Sequence, residues 1–341
     1  MATSFSSLPI VDLAVLSVKE PSSADLLRLG RNLHDVFATT GFAYLINAPL
    51  SFTHDQVFGL AKAFFSMDEA TKMQLAKKTF IPANANTYRG YFPCQPGQQD
   101  NLKEGFEIGM SGTPAQPLID AGQKFQLHEK NVWPLEEDFP NGRAALQKLH
   151  DELQTLSSML LSLLAIALDK PWDFFSNYLI DSLSTLRLLH YPPQPTPVPS
   201  LGTKLCCTPH TDSGILTLLH QDPTGGLEVL NANQEWVSAP YVPGSIIVNI
   251  GDLMAEVSGG RFVATVHRVR ASNAWSNENG TGRLSVPFFF EPAESRVVKS
   301  VDAGEGILLY GEHVRKKMCT WVDFQDVQGD PLAPESKSIA H

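Results

Sequence analysis

Two histidines and one aspartate have the residue types and the spacing of a metal site. On a strand, residues two positions apart project from the same face, so the side chains of His210 and Asp212 could reach the same point. His267 lies in the β-branched run 263–269, which predicts a second strand. Two imidazoles and one carboxylate fit the facial triad of non-haem Fe(II) enzymes. The same ligands could hold Zn²⁺ with an open water position, so the triad alone leaves the metal undecided.

A second pattern, Arg283 and Ser285, favours iron. These residues share one face of the next predicted strand, and that face can line a barrel interior. A buried guanidinium binds a carboxylate as a two-pronged fork, and a hydroxyl adds one hydrogen bond. An iron enzyme with a dicarboxylate co-substrate needs this arrangement, whereas a zinc hydrolase does not. Arg270 and Ser272 have the same Arg-x-Ser pattern, but they face away from His267 and are interpreted as structural.

The second half of the chain has the pattern of an all-β domain that could position these residues. Short β-branched or aromatic runs alternate with turns rich in Gly, Pro and Asn. The predicted strands are 205–210, 214–220, 226–230, 235–238, 245–250, 262–270, 283–290 and 296–301. About eight strands at this spacing predict a double-sheet jelly roll or a barrel.

The first half is mixed and mostly helical. Ser23 is predicted to cap one helix, and Asn141 a long Leu-rich helix that ends near Asp169. The stretch 82–112 has few periodic cues and is predicted to be a loop. The predicted fold is mainly β with α, with a jelly-roll core, an N-terminal helical region and a long supporting helix. We divide the chain into 1–180, 181–325 and a tail, 326–341, in one compact unit.

Composition narrows the class of partner. The 341 residues carry a net charge of −10, which argues against nucleic acid because its binding requires a basic face. The four cysteines form neither a disulfide framework nor a CxxC zinc pattern. Residues 1–9 have neither a basic nor an apolar region, so we expect no secretory signal there, and the most apolar stretch, 159–168, is about half a membrane span. We expect a cytoplasmic monomer or weak homo-oligomer that binds a small molecule and neither nucleic acid nor membrane.

These motifs together resemble the Fe(II)- and 2-oxoglutarate-dependent dioxygenases of the isopenicillin N synthase-like family. The resemblance extends over about residues 8 to 322 and includes further landmarks in the expected order. They are 8–12, 41–45, 64–67, 88–91, 210–214, 225–229, 248–252 and 265–269. The resemblance implies an enzyme that uses O₂ to oxidise a C–H bond. The outcome would be hydroxylation, or desaturation or ring expansion.

The resemblance also implies roles for individual residues. His210, Asp212 and His267 would bind iron. Arg283 and Ser285 would anchor the distal carboxylate of 2-oxoglutarate, and Tyr191 matches a tyrosine that often assists them. Plant members usually have Asn two residues before that tyrosine, whereas this chain has Leu189. This departure concerns the co-substrate contacts and leaves the triad unaffected.

Three residues are candidates for substrate contact. Arg187 shares a predicted strand face with Tyr191 and could pair with an acidic or carbonyl-rich substrate, or with a structural carboxylate. Phe289 lies four positions after Ser285, where this family often has a substrate-contacting aromatic residue, although core packing is the alternative. Tyr91 lies in the predicted loop 82–112, which also contains Tyr88 and Phe92. This loop could cover the cavity mouth.

The pattern looks closest to fungal members, including thymine hydroxylase and the oxygenases of polyketide, alkaloid and tropolone pathways. Thymine hydroxylase-like members tend to have Tyr directly after the ligand Asp, whereas this chain has Ser213. We therefore favour a small aromatic or polyketide-derived substrate in secondary metabolism. The alternatives are a nucleobase hydroxylase, an iron oxidase of the same fold that does not use 2-oxoglutarate, and a non-enzymatic metal-binding jelly roll.

Overall fold

A computed structural model gives the fold. It describes residues 3–95, 101–111, 127–193, 204–271, 282–302 and 306–318. The strands are β1 (Ile10–Asp12), β2 (Phe42–Ile46), β3 (Gly90–Phe92), β4 (Glu104–Ile108), β5 (Thr185–Tyr191), β6 (Leu205–His210), β7 (Leu216–Gln221), β8 (Leu227–Leu230), β9 (Trp236–Ser238), β10 (Ile246–Ile250), β11 (His267–Arg270), β12 (Arg283–Phe290), β13 (Val297–Lys299) and β14 (Gly306–Leu309).

Two sheets face each other and form the predicted jelly roll. The major sheet has eight strands in the order β1-β2-β10-β7-β12-β5-β4-β3, and the minor sheet has four in the order β6-β11-β8-β9. All neighbouring pairs in both sheets are antiparallel except β1 with β2. Strands β13 and β14 form a separate pair. Strands from the N-terminal 180 residues therefore form both edges of the major sheet, and the 180/181 boundary stays a prediction.

Helices cover the outer face of the major sheet. They are α1 (Ser23–Thr39), α2 (His54–Phe65), α3 (Glu69–Gln74), α4 (Gly142–Ala167), α5 (Asp252–Val257) and α6 (Tyr310–Met318), with short 3₁₀ helices at Ala14–Ser17 and Ser176–Leu179. The predicted long supporting helix is α4. No helix in the described part of the chain is long and apolar enough to cross a membrane.

The caps of two helices differ from the predicted ones. Ser22, one residue before the predicted Ser23, accepts a hydrogen bond from the Asp25 backbone N–H at the start of α1. Asn141 precedes α4 as predicted, but its φ is 57° and its side chain makes no capping bond. Its backbone N–H instead donates to Glu136 Oε1 at 2.6 Å. The prediction of a side-chain cap at Asn141 was therefore wrong.

Alternating residues on β12 separate two cores. Val286, Phe288 and Phe290 face outward and pack in the large core with the leucines of α4. Ser285 and Phe289 therefore face inward, toward the space between the sheets. A smaller core fills that space with apolar residues of both sheets, among them Phe42, Tyr44, Leu189, Tyr191, Cys206, Leu227, Val229, Ile247 and Val269. One face of β12 is thus structural, and the other is available for chemistry.

Two segments differ from the predicted elements. The 82–112 stretch, predicted as loop, contains β3 and β4, which pair with each other and extend the major sheet next to β5. The predicted strand 262–270 forms β11 only from His267 onward. Its first half bonds elsewhere, because Val263 N donates to Phe37 O at 2.9 Å and Thr265 Oγ1 donates to Thr40 O at 2.8 Å. The predicted tail 326–341 lies outside the described residues.

Candidate active site

The three predicted metal ligands meet at one point. His210 ends β6 and lies directly opposite His267, the first residue of β11, in the antiparallel register. Asp212 Oδ1 is 3.8 Å from His210 Nε2 and 3.7 Å from His267 Nε2. One ligand atom from each residue lies within 4.8 Å of the others, which is close enough for a single ion. The cross-strand pairing therefore brings together residues that are far apart in sequence.

Backbone carbonyls orient both imidazoles. His210 Nδ1 donates to Thr208 O at 2.8 Å, and His267 Nδ1 donates to Thr265 O at 3.2 Å. Because a carbonyl oxygen only accepts, each Nδ1 carries a proton and each Nε2 faces the shared point. Although burial opposes it, the neighbouring Cys207 and Asp212 raise the pKa of His210 to about 9, so iron binding at this residue would release its Nε2 proton. Burial, assisted by the neighbouring His210, lowers the pKa of His267 to about 4. This imidazole is therefore neutral at pH 7, as metal binding requires.

Two polar side chains of the major sheet orient the carboxylate of Asp212. Thr217 Oγ1 on β7 donates to Oδ2 at 2.6 Å, and Asn249 Nδ2 on β10 donates to the same oxygen at 2.8 Å. Oδ1 is left to face the histidines. Although burial opposes ionisation, His267, His210 and these hydrogen bonds hold the pKa of Asp212 below its usual value. The donor set of two imidazole nitrogens and one anionic oxygen fits a divalent iron ion.

The predicted carboxylate anchor is buried and incompletely paired. Arg283 is 1% exposed, and its Nε donates to Gly225 O at 2.8 Å. Its Nη1 is buried without a hydrogen-bond partner among the described residues. An unpaired buried guanidinium nitrogen is costly unless a ligand completes it, and a carboxylate is its best partner. The residues present therefore fit 2-oxoglutarate.

The partners predicted for Arg283 lie beside it. Tyr191 is directly opposite in the β5–β12 register, and its ring centroid is 5.0 Å from the guanidinium carbon. Ser285 is buried on the same face of β12 and lies opposite Leu189. Leu189 packs in the smaller core, so this position supplies an apolar wall where plant members usually have an amide.

A cavity of about 400 Å³ opens beside the triad. Its walls include His210, Asp212 and two of the predicted substrate residues, Arg187 and Phe289. The Arg187 guanidinium carbon lies 5.2 Å from the Phe289 ring centroid, a cation–π arrangement. Arg187 also forms an ion pair with buried Glu107 on β4. It therefore meets both interpretations given above, because it lines the cavity and is paired with a carboxylate.

The third predicted substrate residue, Tyr91, does not reach this cavity. Its side chain is fully buried in the large core, and its hydroxyl donates to Glu104 Oε2 at 2.7 Å. The cause is the strand pairing of β3, which directs Tyr91 toward Glu104 and Lys72 rather than toward the triad. Tyr88, three residues earlier, lines the cavity instead.

Sequence reasoning missed two acidic residues of this site. Glu107 holds Arg187 in place, and no signal in the sequence predicts it, because the pattern of 82–112 predicts a loop. Glu291 also lines the cavity, two positions after Phe289. The period-2 alternation that places Ser285 and Phe289 on one face could have identified Glu291 as well.

Comparison with known proteins agrees with this geometry. The sequence model of the 2OG-Fe(II) oxygenase superfamily matches residues 182–292, which include the triad and the arginine anchor. A second family model, described as the N-terminal region of non-haem dioxygenases in morphine synthesis, matches residues 8–136.

Relatives match most of the chain. The 2-oxoglutarate-dependent dioxygenase citB of Monascus ruber is 32% identical over 294 residues, covering 83% of this chain and 84% of citB. The 2-oxoglutarate-dependent dioxygenase ecdK of Aspergillus rugulosus is 31% identical and covers 82% of this chain and 87% of ecdK. A full-length Neurospora crassa protein, crystallised in complex with alpha-KG and 5-formyluracil, has a TM-score of 0.74 at 25% identity, covering 92% of this chain and 97% of that one. The chain therefore belongs to the 2OG-Fe(II) oxygenase superfamily and is a dioxygenase that uses Fe(II), 2-oxoglutarate and O₂.

Proposed function

We propose that this dioxygenase oxidises a C–H bond of a small, acidic aromatic or polyketide-derived compound in fungal secondary metabolism, in the cytoplasm. The observation that carries the proposal is the cavity beside His210 and Asp212, in which an arginine and an aromatic ring stand side by side. The residues that would bind Fe(II) are His210, Asp212 and His267. Those that would bind 2-oxoglutarate are Arg283, Ser285 and Tyr191.

The reaction divides between cofactor chemistry and protein positioning. When bound, Fe(II) and 2-oxoglutarate supply an oxidant from O₂ that attacks a C–H bond, and 2-oxoglutarate ends as succinate and CO₂. Arg283 would hold the distal carboxylate of the co-substrate, because its buried Nη1 has no other hydrogen-bond partner among the described residues. The inward faces of β5 and β12 hold the substrate and exclude water from the reacting carbon.

The substrate class follows from two neighbouring side chains. Phe289 offers an aromatic face for stacking. Arg187 offers a guanidinium that forms an ion pair with Glu107, so its orientation is set before the substrate arrives. A flat substrate with an acidic oxygen at its edge meets both groups, and this is the chemistry of phenols and aromatic acids.

The test of the proposed co-substrate site is an anaerobic titration of the Fe(II)-loaded protein with 2-oxoglutarate. We expect a weak metal-to-ligand charge-transfer band, with Arg283→Ala needing roughly 10- to 100-fold more 2-oxoglutarate, as expected for a lost charged hydrogen bond. Arg268→Ala is the matched control, because Arg268 pairs with Glu228 and stacks on Trp236 instead of facing the cavity. Equal affinities in the wild type and Arg283→Ala would place the anchor elsewhere.

A nucleobase hydroxylase is the second candidate function, favoured by the likeness to the Neurospora crassa protein whose crystal structure holds 5-formyluracil. Ser213, which directly follows Asp212, lines the cavity at the position where thymine hydroxylase-like members tend to have tyrosine. Measuring succinate formation with thymine and with 2,4-dihydroxybenzoate separates the two candidates. Only a compound of the true substrate class should stimulate the conversion of 2-oxoglutarate to succinate. Product without stoichiometric succinate would instead indicate an oxidase of the same fold.

A further inference from the structure

Glu291 is a cavity residue to which neither the metal site nor the co-substrate anchor gives a role. It directly follows β12, is 3% exposed and lines the same cavity as Arg187 and Phe289. Tyr310 on α6 donates to its Oε1 at 2.7 Å. Among the described residues, Tyr310 is the hydrogen-bond donor to this carboxyl, and its hydroxyl contacts Oε1 and not Oε2. One carboxyl oxygen is therefore held by the protein, and the other is left for a ligand.

The wall around Glu291 carries more positive than negative charge. The charged and titratable groups that act on the carboxyl from neighbouring elements are Tyr88, Arg89, Glu107, Arg187 and Tyr310. The other titratable groups that line the same cavity are Lys103, Cys207, His210, Asp212 and Lys317. Lys77 and Arg187 both pair with Glu107, whereas Arg89 donates to the neutral Thr185 hydroxyl and Leu183 carbonyl. Lys77, Arg89 and Arg187 thus share Glu107 as their ionised carboxylate, and the lysines of the cavity keep the positive charges in excess when Asp212 is counted too, which favours an anionic ligand in the cavity.

Burial sets the protonation of Glu291. It raises the pKa of this carboxyl to about 7, against the hydrogen bond from Tyr310 and the charges of Arg89 and Arg187, which lower it. The carboxyl is therefore divided between its acid and ionised forms at neutral pH. An anion entering beside it would favour the acid form, because only that form avoids like-charge repulsion and offers an O–H donor.

We propose that Glu291 is a specificity-determining residue that selects aromatic acids: its protonated carboxyl donates a hydrogen bond through Oε2 to the substrate carboxylate that Arg187 pairs with. The inference rests on the proposed function, in which this cavity is the substrate site. Its chemical consequence is that the acid binds together with one proton, which resides on Glu291.

The proton is measurable by calorimetry. We would titrate the anaerobic Fe(II)–2-oxoglutarate enzyme with 2,4-dihydroxybenzoate at pH 6, 7 and 8, in buffers of different ionisation enthalpy. The probe's carboxylate stays ionised over this range, so a pH effect comes from the protein. We expect uptake of about half a proton at pH 7 and an affinity about tenfold weaker at pH 8 than at pH 6, because only the protonated fraction binds. Glu291→Gln should bind with no proton uptake and no pH dependence.

Two further variants make the result specific. Tyr310→Phe removes a hydrogen bond that lowers the pKa of Glu291, so the fall in affinity should move to higher pH. Glu256→Gln, an exposed change on α5, should leave uptake and affinity as in the wild type.

Three outcomes would overturn the inference. They are an affinity that rises with pH, a pH dependence that persists in Glu291→Gln, and a failure of the acid to bind at least as tightly as its methyl ester. The charge-transfer titration with 2-oxoglutarate tests the co-substrate site separately, so its failure would count against Arg283 as the anchor, whereas these three outcomes count against Glu291.

Discussion

Asp212 uses its two oxygens differently. Oδ2 accepts from Thr217 and Asn249 on the major sheet, while Oδ1 faces the two histidines of the minor sheet. The carboxylate therefore joins the two sheets through the metal position. Hydrogen bonds of this kind orient a ligand before the ion binds, and their loss typically weakens metal binding 10- to 100-fold.

Removing the amide at position 249 should thus weaken iron binding. For Asn249→Ala we expect roughly a tenfold loss of Fe(II) affinity with the β-rich circular dichroism spectrum retained, measured by competition with a chromogenic chelator. Gln221→Ala is the control, because this buried amide bonds to Ala239 and Pro240 carbonyls and not to Asp212. An equal loss in both variants would indicate general destabilisation.

At this scale the sequence identified the triad and the arginine anchor from short-range spacing. Arg283 and Ser285 alternate on β12, whereas Asp212 lies two residues beyond the end of β6 and was identified by its spacing from His210. It did not identify Glu107 or Glu291. Glu107 is recognisable by its partner Arg187, which is distant in sequence. The alternation on β12 extends to Glu291, but nothing in the sequence places Tyr310 beside it. Tyr91 was assigned to the site by its place in a presumed loop, and the unpredicted β3 removes it from there.

Among the elements, the junction between α1 and β2 positions His267. Gly41 has a φ of +70°, and a Cβ on it would lie 2.2 Å from Val263 O. The segment 263–265 bonds to the end of α1 and then enters β11 at His267. This contact is the physical reason that the predicted strand 262–270 is half as long as expected.

Gly41→Ala should therefore disturb the metal site as well as the fold. A methyl group cannot fit, so we expect a lower melting temperature together with weaker Fe(II) binding in the protein that remains folded. Gly244→Ala is the matched control: its φ is +73°, but no atom lies within 4 Å of an added Cβ. It should show only the backbone cost, about 1 kcal/mol, with iron binding unchanged. The same iron affinity in both variants would contradict this role for the junction.

The elements were predictable to the extent that their pattern was local. The bounds of β6 and β12 agree with the predicted runs, and α4 agrees within two residues, because alternation and helical periodicity are strong there. The strands β3 and β4 lack that alternation. They are held by pairing with β5 and by buried ion pairs such as Lys72–Glu104, which involve residues far apart in sequence.

Two buried carboxyls of the molecule, Glu107 and Glu291, have pKa values shifted in opposite directions. Arg187 and Lys77 hold the pKa of Glu107 below its usual value despite burial. Burial raises that of Glu291 to about 7, from 4.5. Between pH 4.5 and 7 the unfolded chain releases the Glu291 proton while the folded chain keeps it. Glu291 therefore makes the protein less stable as pH rises through this window, and Glu107 makes it less stable as pH falls below its unfolded pKa.

Urea unfolding at two pH values tests this balance. Relative to the wild type, Glu291→Gln should gain stability between pH 5 and pH 8, by up to about 3 kcal/mol for a shift of this size. Glu107→Gln should instead be strongly destabilised at pH 7, because it leaves Lys77 and Arg187 without their carboxylate. A pH-independent difference for Glu291→Gln would mean that the carboxyl is ionised in the folded protein.

The inward face of β12 has a consequence for how binding energies combine. The strand begins with Arg283 and continues to Phe289, six residues or roughly 20 Å away at the rise of an extended strand. Residues that far apart contribute independently unless they share a partner. The losses of binding free energy caused by Arg283→Ala and by Phe289→Ala should therefore sum to the loss in the double variant. Mutations near Phe289 can then change which compound is oxidised, while the requirement for 2-oxoglutarate, which depends on Arg283, stays the same.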